Sequence, residues 1–258
     1  NHSFIHQSGP RDQTFHKDST YPWGLRAGLR SHRPNWAMAF YYPQETTLEL
    51  GPTHIVPGSQ YWNVDHEVDD HTFGEDRLVT AIEPSPDLDD AGLRRLDEAL
   101  DDSVASLDKK LEILPVTVPK GAVVVVNFDL FHRGSRRTSD VARFMFKFWY
   151  LRTQEPRRRR IRPGALRDQR RAATVADVAA WLAAESPPAP AQRDKEVQAP
   201  TTEADRIERA YLLGAARDPL LLDELGSTTE AVRRAAMYGL ASTCLLYTSD
   251  AADEVSCG

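Results

Sequence analysis

Cysteine is almost absent from this chain of 258 residues: the two present, Cys244 and Cys257, both stand at its far C-terminal end. A body without cysteine has no disulfide framework, no thiolate zinc site and no thiol nucleophile. Long apolar runs are also missing. The apolar runs present, such as Ala122–Val126, fall far short of the ~20 residues that a membrane helix needs, so no membrane span is expected. No Gly-x-Ser-x-Gly, Walker or dinucleotide-binding pattern occurs, and Gly51, Gly58 and Gly121 suit turns. Hydrolase and nucleotide-binding readings therefore have little support. Excess positive charge is lacking too: the formal charge of −6 argues against nucleic acid as a partner. What is there, 41% hydrophobic and 27% charged residues with 14 Gly and 17 Pro, suits a folded chain of about one or two domains.

The two ends read as unusual. The chain starts at Asn1, and the string from Cys244 to Glu254 resembles one reading frame of a sequencing adapter. We therefore expect an N-terminally truncated fragment with a non-native tail over residues 244–258, which is left out of fold reasoning. Without Asp250, Asp253 and Glu254 of that tail the formal charge becomes −3.

Up to Leu151 the pattern is strand-rich. Asn35–Tyr42 is an apolar run ended by Pro43, and Thr53–Val56 is bounded by Gly51-Pro52 and Pro57-Gly58-Ser59. Residues 61–90 are acidic and irregular. Leu93, Leu96, Leu100, Val104, Leu107 and Leu111 then recur at helical spacing and predict one helix. Ile113–Val118 and Ala122–Phe128 predict two strands around a turn at Pro119-Lys120-Gly121, the second of buried type, and Arg143–Leu151 predicts another. The expected fold is mainly β, a sandwich or barrel with a helical insertion, over residues 1–152.

The character changes after Leu151. Residues 153–185 hold a basic run, Arg157 to Arg171, and a short helix over Val175–Glu185 that Thr174 is placed to cap. Residues 186–202 read as a Pro/Ala linker. Residues 203–243 are helical in pattern and resemble part of a HEAT-type repeat array, whose units cannot bury their faces alone. A protein partner recruited through these helices is one expectation.

Eight histidines are present, and only His16 has a carboxylate two positions on, in His16-Lys17-Asp18. On extended backbone, residues i and i+2 point the same way, so an imidazole and a carboxylate there can share an ion. His132 follows the strand at Ala122–Phe128, and Arg143 stands eleven residues further on, at the start of the next. Two histidines and one carboxylate are the facial donor set of non-haem Fe(II), which leaves coordination positions open. An arginine on the neighbouring strand is suited to hold a carboxylate of a cosubstrate by charge-assisted bonds.

With His16-Lys-Asp18, Trp36-Ala-Met38, the segment Gly51 to Ser59, and His132-Arg-Gly-Ser135 with Arg143, the chain resembles the phytanoyl-CoA dioxygenase family of Fe(II)/2-oxoglutarate oxygenases over about residues 12–152. The resemblance implies a double-stranded β-helix (jelly-roll) core and iron held by His16, Asp18 and His132. It implies that Arg143 pairs with the distal carboxylate of 2-oxoglutarate, that Ser135 assists there, and that Trp36 lines the cosubstrate pocket. It implies hydroxylation of a small-molecule substrate with dioxygen, 2-oxoglutarate being decarboxylated to succinate. Halogenating relatives lack the metal carboxylate, so Asp18 implies hydroxylation rather than halogenation. Leu50 departs from the pattern, standing where members usually carry a polar Asn before the Gly-Pro.

Two rivals differ in what they need. A cupin-like metalloprotein that does not use 2-oxoglutarate would keep the triad but have no use for Arg143. A non-catalytic interaction protein would need neither. Lys17, Arg26, Arg30 and Arg33 are read as solvated charge rather than an anionic-substrate patch, and His66 and His71 as part of an acidic loop. His2, His6, His32 and His54 have no partner pattern and receive no role. A cytoplasmic location is expected, and the substrate itself is not legible.

Overall fold

The computed structural model describes residues 2–18, 32–34, 36–62, 77–78, 80, 82, 84–105, 110–154, 156–157, 172–185, 200 and 202–242. The expectations for Arg26, Arg30, His66, His71, residues 158–171, nearly all of the linker and the tail lie outside these. The described residues fall into two compact units, one drawn from residues 1–24 and 35–152, the other from 25–34 and 153–258.

The first unit is built from two antiparallel sheets. One has the order β1-β7-β2-β5, with β1 at His2–Gln7, β2 at Trp36–Tyr41, β5 at Val123–Asn127 and β7 at Phe144–Leu151. The other has the order β4-β3-β6, with β3 at Thr53–Ile55, β4 at Leu114–Pro115 and β6 at His132–Gly134. Alternation along each strand sends one set of side chains inward. Met38 and Phe40 from β2, Ile55 from β3 and Met145 from β7 bury in a common core with Tyr42, Val116, Phe128 and Leu130. Each large apolar side chain in it is worth roughly 1.5–3 kcal/mol relative to exposure. The mainly β architecture read from the sequence is thus present.

Three predicted elements differ in detail. β5 is the edge of its sheet rather than a buried strand, and Val123 and Val125 are 58% and 67% exposed. A run of four valines hides which face is covered, because the period-2 signal vanishes when both faces are apolar. The strand expected over Ile113–Val118 shrinks to Leu114–Pro115, continued only by an isolated bridge from Val118 to Thr46. Pro115 has no N–H for a ladder.

The helix predicted through Leu111 is α1, Asp90–Ala105, opened by the Asp89 carboxylate accepting from Gly92 N at 2.7 Å. Leu107 lies outside the described residues and Leu111 is not helical. Leu111 nonetheless packs on the same cluster as Leu100 and Val104, which is why the spacing overran the helix end. That second cluster holds Phe15, Val56, Trp62, Leu78 and Phe131. β1 and β6 went unread in the sequence.

The second unit is helical: α2 at Ala172–Ala183, α3 at Glu203–Ala215, α4 at Leu220–Glu224 and α5 at Glu230–Ser242. A reciprocal capping box between Thr202 and Asp205 opens α3. Thr174 does not cap α2, which begins before it. The Glu208 carboxylate, from α3, accepts from Ala173 N and Thr174 N instead, an anion at a helix N-terminus. His32 is buried here, stacked on Tyr238 at 4.1 Å and hydrogen-bonded through Nδ1 to the Tyr211 hydroxyl at 3.0 Å. Arg33 donates to both Asp177 oxygens at 3.0 and 3.1 Å and to the Ser242 carbonyl at 2.7 Å. Arg33 is therefore an internal ion-pair partner and not a solvated charge.

Helices α3 and α5 touch through glycine. A Cβ on Gly239 would stand 2.4 Å from the Ala210 carbonyl oxygen, a backbone atom that cannot swing aside. Gly239→Ala should therefore push the helices apart and cost roughly 1–3 kcal/mol, as overpacking does. The check is thermal unfolding followed by the helical circular-dichroism signal, and an unchanged midpoint would contradict the close approach.

Candidate metal centre

His16 and His132 lie on backbone segments that pair directly. His16 N donates to the His132 carbonyl and His132 N to the His16 carbonyl, both at 3.0 Å. Directly opposed antiparallel residues put their side chains on one face, and the two rings meet with centroids 4.7 Å apart. Two positions on from His16, Asp18 returns to that face. The alternate residues turn the other way: Phe15 and Phe131 enter the α1 cluster. Lys17 is buried there too, its ammonium donating to the Trp62 carbonyl and standing 5.1 Å over the Phe131 ring. Lys17 is thus neither solvated nor part of the site.

The backbone also sets the tautomers. His16 Nδ1 lies 2.9 Å from the Thr14 carbonyl and His132 Nδ1 lies 3.0 Å from the Leu130 carbonyl. A carbonyl only accepts, so each Nδ1 carries a proton, and in the neutral ring Nε2 keeps the lone pair. Both Nε2 atoms converge on Asp18 Oδ1, at 3.5 and 3.6 Å. The three ligand atoms lie within 4.8 Å of one another.

Protonation suits the same purpose. Burial, aided by the nearby Lys147 ammonium, lowers the His132 pKa to about 3, so the ring is neutral at pH 7. Burial pushes the Asp18 carboxyl up, but His16, His132 and Lys147 outweigh it and hold the group well below the usual carboxylate range. Metal ligands must be deprotonated, and His132 and Asp18 are. Two imidazoles and one carboxylate, with Nε2, Nε2 and Oδ1 converging, fit a divalent transition metal.

Arg143, just ahead of β7, is buried at 2% exposure. Its Nε donates to the Gly51 carbonyl at 2.9 Å, while Nη1 is buried with no hydrogen-bond partner among the described residues. Burial lowers its pKa, which still leaves a guanidinium charged at pH 7. Gly51 is left-handed, with φ of +70°, and a Cβ there would meet the Ser135 carbonyl oxygen at 2.6 Å. Only glycine fits both demands. Ser135 donates its backbone N–H and its hydroxyl to the Pro52 carbonyl, at 3.1 and 2.7 Å. Ser135 thereby holds the Gly-Pro turn that carries the Arg143 acceptor. Trp36 packs at the flank of the core, its ring 5.3 Å from Phe128.

Two residues of the interior were missed. Lys147, four positions after Arg143 on the same face of β7, is buried and donates to Asp18 Oδ2 and to His132 Nε2, the latter at 3.0 Å. His6 on β1 pairs in register with Met145, and its Nε2 is buried without a hydrogen-bond partner among the described residues. Burial, with Lys147 and Arg143 nearby, lowers its pKa to about 4. Inward parity with Arg143 was the available signal for Lys147. His6 had none until β1 was seen. His54 instead lies beside Arg133, Nδ1 to Nε 3.5 Å.

A family model described as phytanoyl-CoA dioxygenase (PhyH) matches residues 1–145. Among solved structures, the chain is similar to an apo non-heme monooxygenase, ThoJ, at 17% identity and a TM-score of 0.35, covering 60% of this chain and 49% of that one. It is similar to SnoK, a non-heme alpha ketoglutarate dependent carbocyclase from nogalamycin biosynthesis, at 17% and 0.37, covering 58% and 48%. It is also similar to EctD from S. alaskensis with 2-oxoglutarate and 5-hydroxyectoine, at 16% and 0.33, covering 58% and 43%. The chain spans about half the length of these structures or less. At such scores their likeness carries no weight of its own; the family match does. No curated protein matches.

His132→Ala should weaken Co(II) binding by more than the 10- to 100-fold that loss of an outer-shell partner typically costs, whereas His54→Ala should leave it unchanged. Calorimetric titration reads both. Equal affinities in the two variants would remove His132 from the centre.

Proposed function

Because the chain belongs to the phytanoyl-CoA dioxygenase family, we propose that it is an Fe(II)- and 2-oxoglutarate-dependent oxygenase that hydroxylates a small organic substrate from a double-stranded β-helix core. The observation that carries this reading is the convergence of His16 Nε2, His132 Nε2 and Asp18 Oδ1, with the unpartnered Nη1 of Arg143 in the same unit. Iron with 2-oxoglutarate and dioxygen supplies the oxidative C–H chemistry, with succinate and carbon dioxide as coproducts.

The chain's own residues bind and orient. His16, Asp18 and His132 would hold the metal on one side and leave the other open to cosubstrate. Arg143 would donate Nη1 to the far carboxylate of 2-oxoglutarate while Nε stays fixed on Gly51. An unsatisfied buried guanidinium nitrogen costs free energy unless an anion completes it. That cost favours 2-oxoglutarate over the cupin-like reading, which leaves Arg143 idle. His6, neutral at pH 7, offers a further nitrogen to a bound carboxylate. No helix among the described residues is long and apolar enough to cross a membrane. The second unit, with α3, α4 and α5 in succession, keeps the reading of a partial HEAT-like array, and we assign it no partner.

The test is anaerobic addition of Fe(II) and then 2-oxoglutarate, watching for the visible metal-to-ligand charge-transfer band. Arg143→Ala should weaken 2-oxoglutarate by about 1.5–3 kcal/mol, or roughly 10- to 150-fold, and leave metal affinity intact. Metal binding with no band in the wild-type chain would hand the site to the cupin-like reading.

A further inference from the structure

Lys147 is in the wrong place for a spectator. Its ammonium is buried and donates to Asp18 Oδ2 and, at 3.0 Å, to His132 Nε2. His132 Nδ1 is committed to the Leu130 carbonyl, so Nε2 has one lone pair, and it points at the position where a metal would sit. That lone pair cannot serve an ammonium and a metal ion together. Asp18 is different, because it has two oxygens. Oδ1 faces both histidine Nε2 atoms, while Oδ2 takes Lys147 and Trp149 Nε1, the latter at 3.2 Å. Loading a metal on Oδ1 therefore requires one contact to break, Lys147 to His132, while Lys147 to Asp18 can persist.

We propose that Lys147 is a built-in placeholder cation: its ammonium holds Asp18 and His132 together in the metal-free protein and competes with the metal for His132 Nε2. The inference rests on the metal-centre reading above. The side chain lies 5.9 Å over the Phe40 ring, so an aromatic face is at hand to receive part of the displaced charge. A metal entering the site meets a buried positive charge at bonding distance from two of its ligands. The site is preassembled, and its affinity is lowered in return.

The competing reading makes Lys147 an ordinary outer-shell support that orients Asp18, and the two differ in sign. Loss of a support weakens metal binding 10- to 100-fold; loss of a competitor tightens it. The experiment is Co(II) titration of the full chain by calorimetry and absorption, comparing wild type with Lys147→Met and Lys147→Gln. Gln keeps a donor for Asp18 without the charge and serves if the Met variant does not fold.

Tenfold or tighter Co(II) binding in either variant, with a lower unfolding midpoint of the metal-free form and no such loss in the loaded form, supports the proposal. So does binding by the variants alone. Equal or weaker binding in the variants, with wild type binding Co(II), overturns it and leaves the metal centre standing. Failure of wild type and both folded variants to bind overturns the metal centre and this inference together.

Discussion

One buried carboxylate organises the β unit. Asp18 is 7% exposed, in the unit whose buried apolar core includes Met38, Phe40 and Met145. A charge in such a place is tolerated only when it is paired and hydrogen-bonded. The partners come from three stretches of chain: His16 from its own, His132 from β6, and Lys147 with Trp149 from β7. The mutual backbone bonds of His16 and His132 fix the spacing of the imidazoles, and the register of β7 fixes the height of the ammonium. Removing any one partner would leave the rest holding an under-compensated charge. The same arrangement that makes the centre chemically ready thus makes it structurally obligatory.

The legible part of the site was the part encoded locally. His16 and Asp18 are two residues apart, and parity alone puts them on one face. His132 and Arg143 were found because each stands at a strand boundary that valines and aromatics mark clearly. His6 was not, since its inward orientation depends on which face of β1 is covered, a property of the tertiary pairing, and Lys147 had only its parity with Arg143 to mark it. The valines of β5 show the same limit: composition announces a strand but not its exposure. Thr174 fails for a related reason, because the group that caps α2 is Glu208, thirty-four positions along the chain.

The Gly51-Pro52 turn explains a sequence motif without giving it chemistry. Its glycine is demanded by a positive φ and by the Ser135 carbonyl, its proline carbonyl is held twice by Ser135, and its glycine carbonyl takes the Arg143 Nε. Leu50, the departure from the family pattern, immediately precedes this assembly and leaves these contacts in place. The motif is a cantilever that fixes one edge of the guanidinium through Nε, while Nη1 has no hydrogen-bond partner among the described residues.

The ion pair of Arg33 with Asp177 has a bearing on how such a protein can be taken apart. Arg33 is separated from Asp18 by fifteen positions and from Trp36 by three, yet it belongs to the helical unit, as Asp177 and Ser242 do. The chain therefore enters that unit twice, once between two segments of the oxygenase fold and once after them. A single crossover downstream of residue 152 could not exchange the helices as an intact cassette. It would strand a buried arginine and a stacked histidine without their counterparts. An exchange of the helical unit has to carry both segments together or replace His32 and Arg33 at the same time.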